Sequence, residues 1–162
     1  MKEKLNIIFT KEPFSELSEE LKNVLKQHLK IFSFQKDSVL IKKGEFGSVV
    51  FFLLEGECGV LAGEADENLV AKLAPPDFFG EMALLAHIKR TATVKALTDV
   101  KVASINFQKF KEILYSSPEM VTSMDEFFKT RKSELAIAEK KMQRRIRKKE
   151  SFLDRIKKIF KK

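Results

Sequence analysis

The chain has 162 residues, 44% hydrophobic and 33% charged, with 15 Phe, no Trp and one cysteine. That composition suits one packed domain plus an extension, and a lone cysteine excludes a disulfide framework and points to a reducing compartment. The net charge of +8 is segregated: residues 139–162 hold 12 Lys or Arg against 3 Asp or Glu, a net of +9, and the rest of the chain sums to −1. An electrostatic partner should therefore engage the C-terminal segment rather than the globule.

The opening MKEKLNIIFTKEPF has too short an apolar run for a signal peptide. No stretch approaches the roughly 20 apolar residues of a membrane span, so a cytoplasmic location is expected. Phe14, Leu17, Leu21, Leu25, His28 and Leu29 then recur at three- and four-residue spacing behind Pro13. This predicts an amphipathic helix ending near Ile31, with His28 facing the core or its boundary. From Phe32 to Phe107 short runs of Val, Ile, Phe and Thr are punctuated by glycines and by Pro75-Pro76, and all six glycines fall between Gly44 and Gly80. Short strands with close turns predict an antiparallel sandwich or barrel. Cys58 lies in one of these strands as a small core residue.

Phe107, Phe110, Ile113 and Leu114 predict a short helix. Ser117 reads as an N-cap with Pro118 at the first helical position, opening a long helix toward Lys149. Ser151 with Asp154 three residues on reads as a second cap, starting a separate helix, SFLDRIKKIFKK. The expected organisation is a domain over 1–120, a long helix over 118–150 and a basic tail helix over 151–162.

One segment carries the chemistry: FFGEMALLAHIKRTATV, residues 78–94. With Phe79-Gly80-Glu81 as a turn and Met82 to Ala86 as a single helical turn, unpaired N–H groups would face an anion, and Gly80 would let a ligand approach the backbone. Arg90 can clamp a phosphate through two N–H groups. Glu81 would repel a phosphate but can accept from a hydroxyl, so the pair suits a ribose joined to a phosphate. A simple ion pair between Glu81 and Arg90 is the plainer alternative.

The segment resembles the phosphate-binding cassette of cyclic nucleotide-binding domains, the family of catabolite activator protein and protein kinase regulatory subunits. Gly80, Glu81, Ala83, Arg90, Thr91 and Ala92 match it, and the similarity extends from the N-terminal helix through VLIKKGEFGSVVFFLLEGECGVL to about Met120. The resemblance implies a mainly β fold, an antiparallel jelly-roll-like β-roll with an N-terminal helix and C-terminal helices, which regulates by binding cyclic AMP or cyclic GMP. It implies that Glu81 accepts from the ribose 2′-OH, that Arg90 and the N–H groups of Met82 and Ala83 hold the cyclic phosphate, and that Thr91 lies near the base. Leu135 or Ile137 would be an aliphatic lid. Two positions depart from the family: Ala74-Pro75-Pro76-Asp77 replaces a glycine-containing turn, and Asp37 replaces a turn glycine. A degenerate, nucleotide-free scaffold is the alternative. No catalytic constellation, cofactor or metal is expected, because one Cys and two distant His, His28 and His87, form no ligand set.

The basic tail allows several readings. Residues 140–149, KKMQRRIRKK, form a solvated helix face by default. Phe152, Ile156 and Phe160 lie four apart with Leu153 and Ile159 on the same stripe, and Arg155, Lys157, Lys158, Lys161 and Lys162 cover the rest. Such a helix suits an anionic membrane surface, placing the chain at the inner face of a membrane, or a protein partner. Leu135, Ala138, Met142 and Ile146 offer a homodimer seam. Only 44 residues follow Pro118, with no turn glycine, which argues against a helix-turn-helix and sequence-specific DNA reading, although phosphates could still attract the tail.

Overall fold

The computed structural model of the chain describes residues 2–62, 68–85 and 89–159. Among the described residues, eight strands form two four-stranded antiparallel sheets. In chain order they are β1 (Lys30–Phe34), β2 (Val39–Ile41), β3 (Val49–Glu55), β4 (Cys58–Ala62), β5 (Asn68–Leu73), β6 (Phe78–Phe79), β7 (Thr93–Ala96) and β8 (Val100–Asn106). One sheet runs β1-β8-β3-β6 and the other β2-β7-β4-β5. They are flanked by the α-helices α1 (Glu19–His28), α2 (Glu81–Leu85), α3 (Phe107–Tyr115) and α4 (Pro118–Ile159).

The side-chain alternation of β3 and β8 explains the layering. Val50, Phe52 and Leu54 of β3, with Ala103 and Ile105 of β8, face the helices and join Phe14, Leu25, Phe110, Ile113, Met120 and Met124 in one core. Leu53, Val100 and Val102 point the other way, into a second core between the sheets with Ile41, Cys58, Val60, Leu73, Phe79, Val94 and Ala96. With both faces covered, these strands read as nearly continuous apolar runs. Phe14 is the keystone of the first core, edge-on to Phe52 at 5.0 Å and to Phe78 at 4.9 Å between ring centroids.

Three local expectations are corrected. Phe14 and Leu17 belong to the helical period but not to α1: a 3-10 turn covers Phe14–Glu16, and the Ser18 hydroxyl accepts from the Leu21 N–H to start α1 at Glu19. His28 is exposed, with Nδ1 2.8 Å from the Val24 carbonyl oxygen of its own helix. The expected break at Ser151 is absent, since α4 runs unbroken through Ile159. With no Gly or Pro after Pro118, the Ser151–Asp154 pattern has nothing to stop the preceding helix. At the other end Ser117 does cap α4, its Oγ accepting from the Met120 N–H at 3.2 Å.

The two turn departures are accommodated. Asp37 takes a left-handed φ of 71°, and its N–H donates to the Ala96 carbonyl at 2.9 Å. Ala74-Pro75-Pro76-Asp77 forms a turn around a cis Pro75–Pro76 bond, closed by the Asp77 N–H on the Ala74 carbonyl at 2.8 Å. The Asp77 carboxylate returns the favour by accepting from the Ala74 N–H at 3.1 Å.

Cys58 has no exposed surface, and burial pushes its thiol pKa up to about 11. Because the thiolate is the reactive form, native protein near pH 8 should be modified by a thiol reagent orders of magnitude more slowly than protein unfolded in urea. Comparable rates in the two states, read by absorbance of the released thiolate, would place Cys58 outside the core.

Candidate functional site

The site grows out of the shortest strand. Pairing of Phe78 with Phe52 and of Phe79 with Phe51 on β3 fixes which way each ring points. Phe78 enters the helix-side core and Phe79 the core between the sheets. Gly80 follows with φ of 88°, a conformation disfavoured with a side chain, and turns the chain into α2. Residue 81 is thereby delivered into the interior, and Glu81 is 1% exposed.

A buried carboxylate needs a partner, and α4 supplies it. Arg131 Nη1 lies 2.8 Å from Glu81 Oε1 and donates to the Phe78 carbonyl at 2.6 Å. The guanidinium carbon sits 5.1 Å from the Phe127 ring centroid and 5.7 Å from that of Phe78, so aromatic faces hold the cation as well. Burial pushes the Glu81 carboxyl above the ordinary range, while the charge of Arg131, its own backbone N–H and the charge of Arg90 pull the other way.

Arg90 is not the ion-pair partner of Glu81. It is 6% exposed and donates to two backbone carbonyls, Gly80 through Nη1 and Val49 through Nη2, the latter at 2.9 Å. Its main chain is paired with the preceding loop, Gly44 N–H to Arg90 carbonyl and Arg90 N–H to Glu45 carbonyl, each 2.9 Å. Gly47 closes over the guanidinium so tightly that a Cβ there would overlap it. A guanidinium has five N–H donors, and the two carbonyls fix its plane without using them all. Burial lowers the Arg90 pKa, and the charge of Glu81 opposes this.

These groups border a cavity of about 520 Å³, within the range of roughly 300–1,000 Å³ common for small-molecule sites. All seven residues singled out from the sequence, Gly80, Glu81, Met82, Ala83, Arg90, Thr91 and Ala92, line it. Ile41, Val60, Leu73 and Val94 form an apolar wall, and α4 closes one side with Arg131, Glu134, Leu135 and Ala138. Of the two lid candidates, Leu135 lines the cavity and Ile137 is exposed.

Sequence reading missed Arg131, Glu134 and Gly47. A signal for Arg131 existed: it lies four residues after Phe127 and four before Leu135, a cation inside an apolar stripe. His87 and Phe160 lie outside the described residues, as do the side chains of Phe152, Ile156, Lys157, Lys158 and Ile159. Among the described residues no cluster of His, Cys, Asp and Glu could hold a metal ion, and no helix is long and apolar enough to cross a membrane.

Comparison with known proteins agrees with this architecture. The cyclic nucleotide-binding domain profile matches residues 31–117, more than half of the chain. The chain belongs to the cyclic nucleotide-binding domain family. It is 32% identical over 111 residues to the cAMP-dependent protein kinase regulatory subunit of Debaryomyces hansenii, covering 68% of this chain and 24% of that protein. It is 38% identical over 82 residues to human cGMP-dependent protein kinase 2, covering 51% of this chain and 10% of that protein. The chain thus spans about a quarter or less of the length of these kinase relatives. A solved structure described as Sp-2Cl-cAMPS bound to PKAR CBD2 superposes with a TM-score of 0.63 at 26% identity, covering 82% of this chain and 84% of that one.

Removing Arg131 leaves a buried, unpaired carboxylate, so Arg131→Ala should lose roughly 3–5 kcal/mol of stability, whereas Glu81→Gln with Arg131→Met should lie closer to the parent. In Arg131→Ala the folded-state pKa of Glu81 rises further above its ordinary 4.5. That variant should gain stability as pH falls toward the ordinary value and lose it as pH rises through the folded pKa. Urea unfolding at pH 5 and pH 8 reads both effects, and an Arg131→Ala curve matching the parent at both would show the pair to be inert.

Proposed function

We propose that this chain is a regulatory module that binds cyclic AMP or cyclic GMP in the α2–Arg90 cavity and thereby controls α4. The observation that carries the reading is that Glu81, a cavity-lining carboxylate, is held by Arg131 of α4. A carboxylate has about four acceptor sites, so it can take a ribose hydroxyl while Arg131 stays or is released. Ligand and helix are linked to the extent that the nucleotide binds one arrangement of α4 more tightly than the other. Arg90, its plane fixed by the Gly80 and Val49 carbonyls, supports a phosphate contact. Gly80 and the N–H groups of Met82 and Ala83 would complete that end, and Thr91 and Ala92, which line the cavity beside Arg90, would lie near the base. The work is regulatory rather than catalytic, and the ligand is the only small molecule the reading requires.

A second reading has support of its own. Glu81 and Arg90 already have protein partners, as a nucleotide-free scaffold would need. A structure at 27% identity and a TM-score of 0.65 is described as the regulatory subunit of a cAMP-independent protein kinase A from Trypanosoma brucei, covering 75% of this chain and 43% of that one.

Thermal unfolding with added cyclic AMP or cyclic GMP separates the two. A nucleotide at 100 times its Kd should stabilise the fold by about 2.7 kcal/mol. Arg90→Ala should weaken that binding by at least roughly tenfold, as expected for loss of a charge-assisted contact worth about 1.5–3 kcal/mol, and Glu81→Gln should weaken it in the same direction. No shift in Tm with either nucleotide at millimolar concentration selects the scaffold.

A further inference from the structure

The cavity and the cores account for only the first half of α4. Among the described residues, Leu135 is its last packed against a core, and Ala138 its last to line the cavity. The helix continues through Ile159, extending about 30 Å beyond the domain at 1.5 Å per residue. Along that extension Lys140, Lys141, Arg144, Arg145, Arg147 and Lys148 are exposed, and none of the six forms an ion pair among the described residues. The only acid with a described side chain there is Glu139. In the globular part, by contrast, several cations pair with acids, as in Lys11–Asp77, Lys95–Asp37 and Lys129–Asp125.

We propose that the distal half of α4 docks on an anionic lipid bilayer, lying along its surface. The charge is complementary, since the segment carries +9 while the remainder of the chain sums to −1. Charge alone would serve any polyanion, but the sequence interleaves it with apolar residues at helical spacing: Met142, Ile146, Phe152, Leu153, Ile156, Ile159 and Phe160. A bilayer interface takes both kinds of residue at once, apolar groups at the acyl boundary and cationic heads among the phosphates. Nucleic acid would neutralise the cations and leave the apolar residues in water. A second copy would cover the apolar residues but set two +9 segments side by side. Most helical stability in proteins comes from packing of an amphipathic face, so a surface that buries these apolar residues also stabilises the helix.

The test is co-sedimentation of the full chain with phosphatidylcholine vesicles and with vesicles in which part of that lipid is replaced by phosphatidylserine. Binding should require phosphatidylserine and weaken as salt is added. Each cation near such a surface contributes roughly a fivefold factor, so Arg144→Glu with Arg145→Glu and Arg147→Glu should reduce partitioning at least about a hundredfold. Phe152→Ser with Ile156→Ser keeps every charge and should also weaken binding, which a purely electrostatic contact would not show. All these changes lie beyond the domain, and an unchanged melting transition checks its integrity. No sedimentation at low salt, tighter binding to a single-stranded oligonucleotide than to the vesicles, or a dimer in light scattering without vesicle binding would each overturn the proposal. Nucleotide is absent from this assay, so its outcome is independent of the ligand reading.

Discussion

Taking a carboxylate out of water is costly unless a cation comes with it, and this domain takes Glu81 almost completely out of water. The cation comes from 50 residues further along the chain, on a different element. That separation makes the Glu81–Arg131 pair more than a local bond. It ties β6 and α2, which build one end of the cavity, to α4, which closes its side. Stacking on Phe78 and Phe127 holds the guanidinium by its faces while the carboxylate and the Phe78 carbonyl hold it by its edge. A lysine could supply the charge but not this planar contact.

The sheets make such a pair achievable. β3 and β8 present apolar side chains on both faces, so each helps build two cores and neither can rotate without exposing one. β6 is only two residues long, yet its register against β3 sends Phe78 and Phe79 to opposite sides. With those rings fixed, the positive φ of Gly80 leaves Glu81 one direction in which to point. The site is thus specified by packing several residues away from any polar group. The backbone carbonyls of Gly80 and Val49 do the same for Arg90, converting a flexible side chain into an oriented one.

Much of this was legible in the sequence. The close-spaced glycines and β-branched runs announced an antiparallel β fold, Ser117-Pro118 announced the start of α4, and the seven cassette residues all line one cavity. The misses share a cause. Periodicity locates a face but not the helix that owns it, so Phe14 and Leu17 were assigned to α1 when a 3-10 turn carries Phe14 and an extended Leu17 follows it. A cap pattern marks a start only where something has stopped the previous helix, and nothing stops α4 at Ser151. Arg131 was hidden because a charged residue in a charged stretch looks solvated; only the fold brings it to Glu81. The proline-bearing turn and Asp37 were recognised as departures, but the means of accommodating them, a cis bond and a left-handed aspartate, could only be seen in the structure.

The unbroken course of α4 has a mechanical meaning. Between Arg131 and Ile159 the unbroken helix spans about 40 Å from its contact with Glu81. A tilt of about 10° at that contact would carry the far end about 7 Å, more than a helical turn. A separate tail helix joined at Ser151 would have absorbed such a tilt in its hinge. A continuous one would transmit it, so a small tilt near Glu81 would become a displacement of several ångströms at the basic end.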